Sequence, residues 1–398
     1  MVHVNWKSPR KYLWIVNAIL FNFDRIFTRR DNYIWIFGAW EGKKYDDNSR
    51  FLFEFVNKFH KEIRAIWFTK EERNNKEIQS LGYEAYCWNS KEAQAIQKKA
   101  GVVLYTHGLI DLGFLPRVGG AVIVSLWHGT GFKKIYNDKY SGWQLVAKRM
   151  LDKVFSWTYR DVTMVTSEYT KQQFSSIFGL TEKDTIYITG QPRNDIFCLG
   201  LQKKEILKNS GIDYQKNVIL YMPTYRSASM GTNAMDDLVR CLYESVELSN
   251  ALNKTNSILV VKPHPLTPHI HLINRNNFII IDYYMVENNQ ELLAVSDVLI
   301  SDYSSCVVDY ALLGRPVIFY LPDHEVFVKQ SEPLYQEFID LCESEYCTTV
   351  EQLANKIINP GKAVVNAIND LFEDKAIKGT CYTENVYNAI VGHLKLQS

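Results

Sequence analysis

Residues 301–305 (SDYSS) place hydroxyl groups between an apolar strand and a helix-like segment, residues 298–300 and 307–313. The first N–H groups of a helix have no partner within the helix, and the helix dipole favours negative charge there. Ser304 and Ser305 add hydroxyl donors with little bulk. The segment therefore predicts a phosphate or pyrophosphate site, and ordinary helix capping is the alternative.

Four more apolar strands are followed by basic, imidazole or hydroxyl groups. Ligands of open α/β sheets bind beyond the carboxyl ends of the strands, so these segments are expected to line one cleft between two domains. The second half of the chain offers a set suited to a pyrophosphate. The groups expected to bind a donor phosphate or its nucleotide are Thr224, Arg226, Lys262, His264, Asp302, Ser304, Ser305 and Asp309.

His128 is the candidate general base. It follows an apolar strand and precedes Gly129-Thr130-Gly131, where glycine lets a substrate approach the backbone. An imidazole with a pKa near neutrality can take a proton from an attacking hydroxyl. The alternative is a structural histidine bonded in a turn. Residues expected near the acceptor or its phosphates are Gly129, Thr130, Lys133, Arg193 and Asn194.

Several charged candidates have two interpretations each. Asp309, one turn beyond Ser305, either accepts bonds from ribose hydroxyls or faces solvent. Asp302 either caps the helix or positions a donor hydroxyl. Arg193 either balances phosphate charge or pairs with Asp195. His264, which lies between two prolines, is either a fixed ligand contact or a turn histidine.

Short β-rich runs alternate with helix-length segments along the 398 residues, which indicates an α/β fold with parallel sheets. Three segments are expected: an acceptor-side Rossmann-like domain (1–200), a donor-binding domain (201–363) and C-terminal helices that pack back on the first domain (364–398). The formal net charge of +1 provides no broad basic field for nucleic acid. The predicted strands are 33–39, 63–69, 101–106, 121–127, 162–167, 185–189, 218–222, 258–261, 278–281, 298–300 and 316–320.

Two segments combine apolar and basic residues. Residues 12–21 are too short an apolar run to span a bilayer, and Arg25 and Arg29 follow closely. Residues 143–155 repeat apolar residues at helical spacing, with Lys148 and Arg149 off that face. Each segment is either an interfacial helix on an anionic membrane or a helix packed on the core, and packing is the favoured interpretation for 143–155.

Together these residues make the chain resemble the CDP-glycerol glycerophosphotransferase family of teichoic acid and capsule synthesis. The resemblance spans roughly residues 38 to 323, and the motifs occur in the family's order. After Asp323 the chain departs from the family, because the Arg-Gly element of many polymerases is replaced by residues 324–329 (HEVFVK). The matching stretches are GKKYDDN (42–48), WHGT (127–130), GQPRND (190–195), LYMPTYR (220–226), KPHP (262–265) and SDYSS (301–305) with Asp309.

The resemblance implies a GT-B-like fold of two Rossmann-like domains facing a cleft. It also implies a CDP-polyol donor, with glycerol as the first choice of polyol, and His128 as the base. His264, Arg226, Ser304 and Ser305 would hold the donor phosphates. No tightly bound cofactor or metal is expected. The family acts at the cytoplasmic membrane face on lipid-linked or polymeric acceptors, so the chain would be a primase or a compact polymerase, peripheral on that membrane.

Two rival functions remain from the residues alone. One is a glycosyltransferase of the same fold that uses a nucleotide-sugar to build a cell-surface polysaccharide. The other is a non-catalytic nucleotide-binding scaffold. Product analysis separates the first from phosphotransfer, and turnover separates the second.

Overall fold

The computed structural model describes residues 10–155, 160–182, 184–208, 210–226, 234–264, 267, 270, 272–281, 286, 288–330, 333–343 and 346–397. The chain forms two compact units. The first contains residues up to His128, Tyr136–Asp195 and the residues from Asp374 onward, and the second contains Gly129–Ile135 and Ile196–Glu373.

The first unit is built on a parallel sheet with the strand order β3-β2-β1-β4-β5-β6-β7. Its strands are largely buried and rich in branched and aromatic residues, which suits a sheet covered on both faces. The strands are β1 (Asp31–Phe37), β2 (Arg64–Thr69), β3 (Ala85–Cys87), β4 (Ala100–Tyr105), β5 (Val122–Ser125), β6 (Val162–Val165) and β7 (Thr185–Ile188).

Successive residues of β1 face opposite layers, as the pleat of a strand requires. Trp35 and Phe37 pack with Leu52 and Phe53 on one face, while Ile36 belongs to the buried cluster on the other. The helices of this unit are α1 (Arg10–Phe27), α2 (Asp47–Phe59), α3 (Glu72–Ser80), α4 (Lys91–Gln97), α5 (Gly142–Phe155), α6 (Glu168–Phe178) and, near the end of the chain, α16 (Tyr382–Gln397).

The second unit is built on a parallel sheet with the strand order β10-β9-β8-β11-β12. Its strands are β8 (Asn217–Tyr221), β9 (Ser257–Val261), β10 (Phe278–Ile280), β11 (Val298–Ser301) and β12 (Val317–Phe319). The helices are α7 (Lys203–Leu207), α8 (Ala234–Glu244), α9 (Val246–Lys254), α10 (Asn289–Val295), α11 (Cys306–Ala311), α12 (His324–Gln330), α13 (Gln336–Glu343), α14 (Val350–Ile358) and α15 (Ala363–Phe372).

The expected α/β class, GT-B-like with two parallel sheets, is confirmed. Every predicted strand is present, and β3, an edge strand of three residues, was missed. The units divide the chain at different places from the expected domains. Residues 129–135 belong to the second unit, and the expected C-terminal segment 364–398 is split, because α15 lies in the second unit and α16 in the first.

Hydrogen bonds explain why α16 belongs to the first unit. The Asp195 carboxylate accepts bonds from the backbone N–H groups of Tyr382 and Thr383, each at 2.8 Å. It thereby satisfies N–H groups that the start of a helix leaves without an internal partner. The Tyr387 ring further along α16 then packs 5.9 Å from the Trp35 ring of β1.

The helices α1 and α5 contact each other and carry exposed apolar side chains. One side of α1 is anchored, because Phe21 is buried and the buried Asp24 accepts from Nε and Nη2 of Arg117. None of the described helices combines the length and the apolar character needed to cross a bilayer. The exposed apolar residues of the two helices are Val16, Ile19, Phe23, Ile26, Phe27, Trp143, Val146 and Met150.

Candidate active site

The His128 imidazole is held by one ring nitrogen and keeps the other for chemistry. It lies just beyond the end of β5, and its Nδ1 is 3.0 Å from the carbonyl oxygen of Thr106. A carbonyl only accepts, so Nδ1 carries the proton, and the lone pair of the neutral ring lies on Nε2. This is the tautomer that a general base acting through Nε2 requires.

The surroundings of His128 also favour its neutral form. Burial lowers the pKa of His128 below its ordinary value. The Thr106 hydrogen bond and the Asp47 carboxylate act in the opposite direction without cancelling that shift, and Arg193 adds to it. A base must be unprotonated before it can accept a proton, so a lowered pKa keeps the imidazole ready at neutral pH.

A buried ion pair fixes the backbone that carries His128. Arg193 Nη1 donates to Asp47 Oδ1 at 2.8 Å and to the His128 carbonyl oxygen at 2.7 Å. Asn48 Nδ2 donates to the Trp127 carbonyl oxygen at 2.9 Å, and Asn48 Oδ1 accepts from the Arg193 N–H. These bonds hold the turn from two sides.

Arg193 pairs with Asp47, a partner that sequence reasoning did not name, and both members of the pair are buried. The pair positions the His128 turn, and contact of Arg193 with a phosphate stays a prediction. Asn194, also expected near the acceptor, is buried beside it in the chain.

Backbone strain is concentrated around this turn. Asp47 and Trp127 have φ of 67° and 55°, and Trp40 and Glu41, beyond the end of β1, have φ of 52° and 55°. Residues other than glycine rarely adopt a φ in this positive range. Such a conformation persists only where the surrounding structure holds it, and it is frequent at functional sites. Gly129, with φ of 143°, takes a conformation that few other residues tolerate.

Gly129, Thr130 and Lys133, which were expected in the acceptor-side domain, belong to the second unit. Phe132 anchors their segment, because it is buried with its ring 4.4 Å from that of Phe338. Lys133 Nζ lies 5.2 Å from the centre of the Phe327 ring. The Thr130 hydroxyl is buried and has no hydrogen-bond partner among the described residues.

Arg226 lies inside the second unit. Its Nε donates to Asp323 Oδ2 at 2.6 Å and its Nη1 to Asp302 Oδ2 at 2.8 Å. Burial lowers the pKa of Arg226, but the carboxylates of Asp302 and Asp323 outweigh burial and raise it above its ordinary value. The side chain is only 1% exposed. This network fixes Arg226 between two carboxylates, and its direct contact with donor phosphates stays a prediction.

Asp302 joins two strand ends and does not cap α11. Its carboxylate accepts from the Thr224 N–H at 3.0 Å and from the Thr224 hydroxyl at 2.6 Å, in addition to Arg226. It also accepts from the backbone N–H of Tyr303 at 2.6 Å, and Tyr303 precedes α11 in the chain. The capping interpretation is wrong, and Thr224 is fixed by this carboxylate at the loop that follows β8.

Tyr303 forms an aromatic layer beside Arg226. Its ring stacks on Phe327 at 3.7 Å and 5°, and the Arg226 guanidinium lies 5.6 Å from its centre. The Tyr303 hydroxyl is 3.1 Å from Nδ1 of His324, a half-buried residue. Asp323, the partner of Arg226, and His324 lie where the sequence departs from the motifs of the family it resembles. Sequence reasoning predicted a role for neither residue.

The start of α11 leaves hydroxyl groups available. Ser305 is the N-cap residue but makes no side-chain capping bond, and Ser304 accepts only a long bond of 3.4 Å from the Cys306 N–H. Both serines are half-buried. Asp309 is buried, so the interpretation that it faces solvent is wrong. A phosphate at Ser304 and Ser305 stays a prediction.

Lys262 and His264 differ in exposure although they are two residues apart. Lys262 is buried and its ammonium group donates to the carbonyl oxygen of Val286. His264 is exposed, with its ring 5.8 Å from that of Tyr225. Of the two, His264 is the exposed one, and contact of either residue with a donor stays a prediction.

The family model for CDP-glycerol:poly(glycerophosphate) glycerophosphotransferases matches residues 19–377. The chain belongs to this family. A teichoic acid poly(glycerol phosphate) polymerase of Bacillus spizizenii is 28% identical over 364 residues, which cover 87% of this chain and 88% of that protein. A teichoic acid glycerol-phosphate transferase of Staphylococcus aureus is 24% identical over 85% of this chain and 83% of its own length.

Other members of the family are longer. The chain spans 45% of a poly(glycerol phosphate) polymerase of Staphylococcus epidermidis, to which it is 26% identical. Among solved structures, the wall teichoic acid polymerase TagF shares the fold with a TM-score of 0.74 and 21% identity over 98% of each chain. The resemblance stated from the motifs is therefore confirmed at the level of family and fold.

The predicted site residues divide into two kinds within this family member. The residues that are half-buried or exposed are His128, His264, Ser304 and Ser305. Buried residues that hold strand-end loops are Arg193, Arg226, Asp302 and Lys262. The missed positioning residues Asp47 and Asn48 lie in the quoted 42–48 motif, which was the signal that could have found them.

Proposed function

We propose that this protein transfers a polyol phosphate, glycerol phosphate first, from a CDP-polyol to an acceptor hydroxyl during teichoic acid or capsule synthesis. Membership of the family supports the reaction class. The observation that carries the proposal is the His128 imidazole, whose proton lies on Nδ1 and whose Nε2 keeps a lone pair. A neutral imidazole of this kind suits a reaction that begins by removing a hydroxyl proton.

The proposed step balances without a cofactor. The O–H bond of the acceptor breaks and its proton passes to Nε2 of His128. The acceptor oxygen forms a bond to the β-phosphorus of the CDP-polyol, and the bond from that phosphorus to the bridging oxygen breaks. CMP leaves with the bridging oxygen and its electron pair, and a phosphodiester remains.

Phosphoryl transfer depends chiefly on positioning and charge stabilisation. In the second unit, His264 and the hydroxyls of Ser304 and Ser305 are proposed to contact the donor, while Asp309 accepts from ribose hydroxyls. Arg226 and Asp302 support these groups by fixing the ends of β8 and β11. The expectation that no metal or cofactor is tightly bound stays a prediction.

We further propose that the protein works as a peripheral protein on an anionic membrane at the cytoplasmic face, on lipid-linked or polymeric acceptors. On α1, Ile19, Phe23 and Ile26 recur at helical spacing and are 63%, 53% and 74% exposed. Trp143 on α5 is 79% exposed, which does not support the favoured core interpretation of that helix. Exposed apolar residues flanked by arginines are typical of helices that lie in a membrane interface.

Product analysis tests the reaction. The full chain would be incubated with CDP-glycerol, CDP-ribitol and nucleotide-sugars together with a lipid-linked acceptor, and nucleotide release and product mass would be measured. The proposal expects CMP and a phosphodiester. A glycoside with release of a nucleoside diphosphate would establish the glycosyltransferase alternative, and donor binding without turnover would establish the scaffold.

A further inference from the structure

We propose that His107 is a positioning residue that fixes the His128 ring, so that Nε2 points in one direction throughout turnover. The inference rests on the proposed function of His128 and extends it to a residue outside every quoted motif. His107 follows β4 by two residues, whereas His128 follows β5.

The two imidazoles are stacked. Their centres are 4.0 Å apart and their planes differ by 7°. The His107 ring is also 4.6 Å from that of Trp40, a residue with strained backbone. A ring at this spacing leaves no room for water between the faces, so His128 cannot tilt toward His107 without losing the contact.

Thr106 supplies a second restraint at right angles to the stack. Its carbonyl oxygen accepts from His128 Nδ1, which holds the ring within its plane, and its hydroxyl is 2.8 Å from His107 Nδ1. Consecutive residues of one loop therefore contact His128 at its edge and at its face. Together these contacts restrict both side-chain torsions of His128 to one combination.

Asp111 holds that loop in place. The buried carboxylate accepts from the N–H groups of Thr106 and His107 at 2.8 and 2.9 Å, and from the Glu41 N–H at 2.7 Å. It thus connects the loop after β4 with the loop after β1, which carries Trp40. The hydrogen bonds of Asp111 therefore hold both loops that contribute rings to the stack, which is not a chance contact between surface rings.

The charges around the pair favour a neutral His107. Burial lowers the pKa of His107 to about 2, and His128, Lys44 and Arg193 add to this effect. A ring that stays neutral stacks without charge repulsion and is a poor base. Asp47 and Arg193 act on the pKa of His128, and burial raises the pKa of Asp111 to about 6. Asp111, which holds the loop that carries His107, therefore changes its protonation near pH 6.

The test compares variants that keep or remove the stacked ring. His107→Phe retains a flat ring, and His107→Ala removes it. Because small displacements of a reacting group can cost about 100-fold in rate, we expect His107→Ala to lower kcat by roughly 10- to 100-fold. The KM for CDP-glycerol should stay within about twofold, and His107→Phe should recover kcat to within about threefold of the wild type, since positioning affects the chemical step.

His60→Ala is the matched control, because His60 also stacks, on Tyr387 at 3.7 Å, in the same unit. This control should keep its kcat. A His107→Ala variant with wild-type kcat would overturn the inference. So would a His107→Phe variant as slow as His107→Ala when both melt at the wild-type temperature.

A measurement without substrate separates this inference from the proposed function. In the ¹⁵N-histidine-labelled full chain, His107→Ala should move the titration of His128 toward the ordinary histidine range and mix its tautomers. His107→Phe should leave both unchanged. This result supports the stack even if no CDP-polyol is turned over, whereas an unchanged His128 spectrum in His107→Ala contradicts it.

Discussion

Arg193 and Arg226 are both buried, and both pair with carboxylates, but they leave different groups available in the two units. Arg193 and Asp47 hold the backbone of His128, whose Nε2 keeps a lone pair for proton transfer. Arg226 joins Asp302 and Asp323, and in the same unit the Ser305 side chain makes no capping bond at the start of α11. The comparison teaches that a buried arginine that follows a strand can be held by carboxylates of its own unit.

The largest effect is expected from a change at His128, in the first unit. His128→Ala removes the proposed base, so kcat for CMP release should fall by about 100- to 10,000-fold. The Kd of CDP-glycerol, measured by calorimetry, should change by less than about twofold, because the donor is held elsewhere. His60→Ala serves as the control, and near-native turnover of His128→Ala would remove the base assignment.

The second prediction breaks the Arg226 network. Arg226→Met leaves the buried Asp302 carboxylate and the half-buried Asp323 carboxylate without their cation, and the free energy of unfolding in urea should fall by about 3–5 kcal/mol. Arg240→Met is the control, because Arg240 forms an exposed i,i+4 pair with Asp236, and exposed pairs of this kind contribute little to stability. Equal losses in both variants would contradict the buried role of Arg226.

His264→Ala sharpens the same contrast. Because His264 is exposed, its removal should weaken binding of CDP-glycerol and leave the urea midpoint unchanged. Arg226→Met should weaken the binding of CDP-glycerol and also lower the urea midpoint. If His264→Ala unfolds as readily as Arg226→Met, the division into contacting and supporting residues does not hold.

These contrasts show which features the sequence could predict. Apolar runs and their polar ends identified the strands and placed His128, Ser304 and Ser305 at strand ends, since these are local patterns. The Arg193–Asp47 pair joins residues 146 positions apart, and the Arg226–Asp323 pair joins residues 97 positions apart. No local pattern shows that a cation meets a distant carboxylate, so neither Asp47 nor Asp323 was predicted as a partner of these arginines.

The placement of residues 129–135 was unpredictable for a similar reason. The segment follows directly on β5 and His128, and continuity of the chain favoured one domain. The segment joins the second unit because Phe132 packs with Phe338 and Phe372, more than 200 positions away in the chain.

The exposure of α1 and α5 was also unpredictable. An apolar face at helical spacing predicts burial but does not show which element covers it.

The smallest expected effect concerns this exposed surface. Trp143→Asp removes an apolar side chain and adds a negative charge, so partition onto vesicles of anionic lipid should fall by about tenfold. Val246→Asp is the control, because Val246 is 66% exposed in the second unit. Equal binding by both variants, or equal binding to neutral and anionic vesicles, would contradict the proposed membrane surface.

The pH dependence of kcat/KM for CMP release tests the central claim most directly. A neutral His128 is the active form, and burial lowers its pKa. The rate should therefore be flat above the ordinary histidine pKa of about 6.5 and fall about tenfold per pH unit only below a pKa lower than that value. An acid limb with a pKa at or above about 6.5, or an identical acid limb in His128→Ala, would contradict the account.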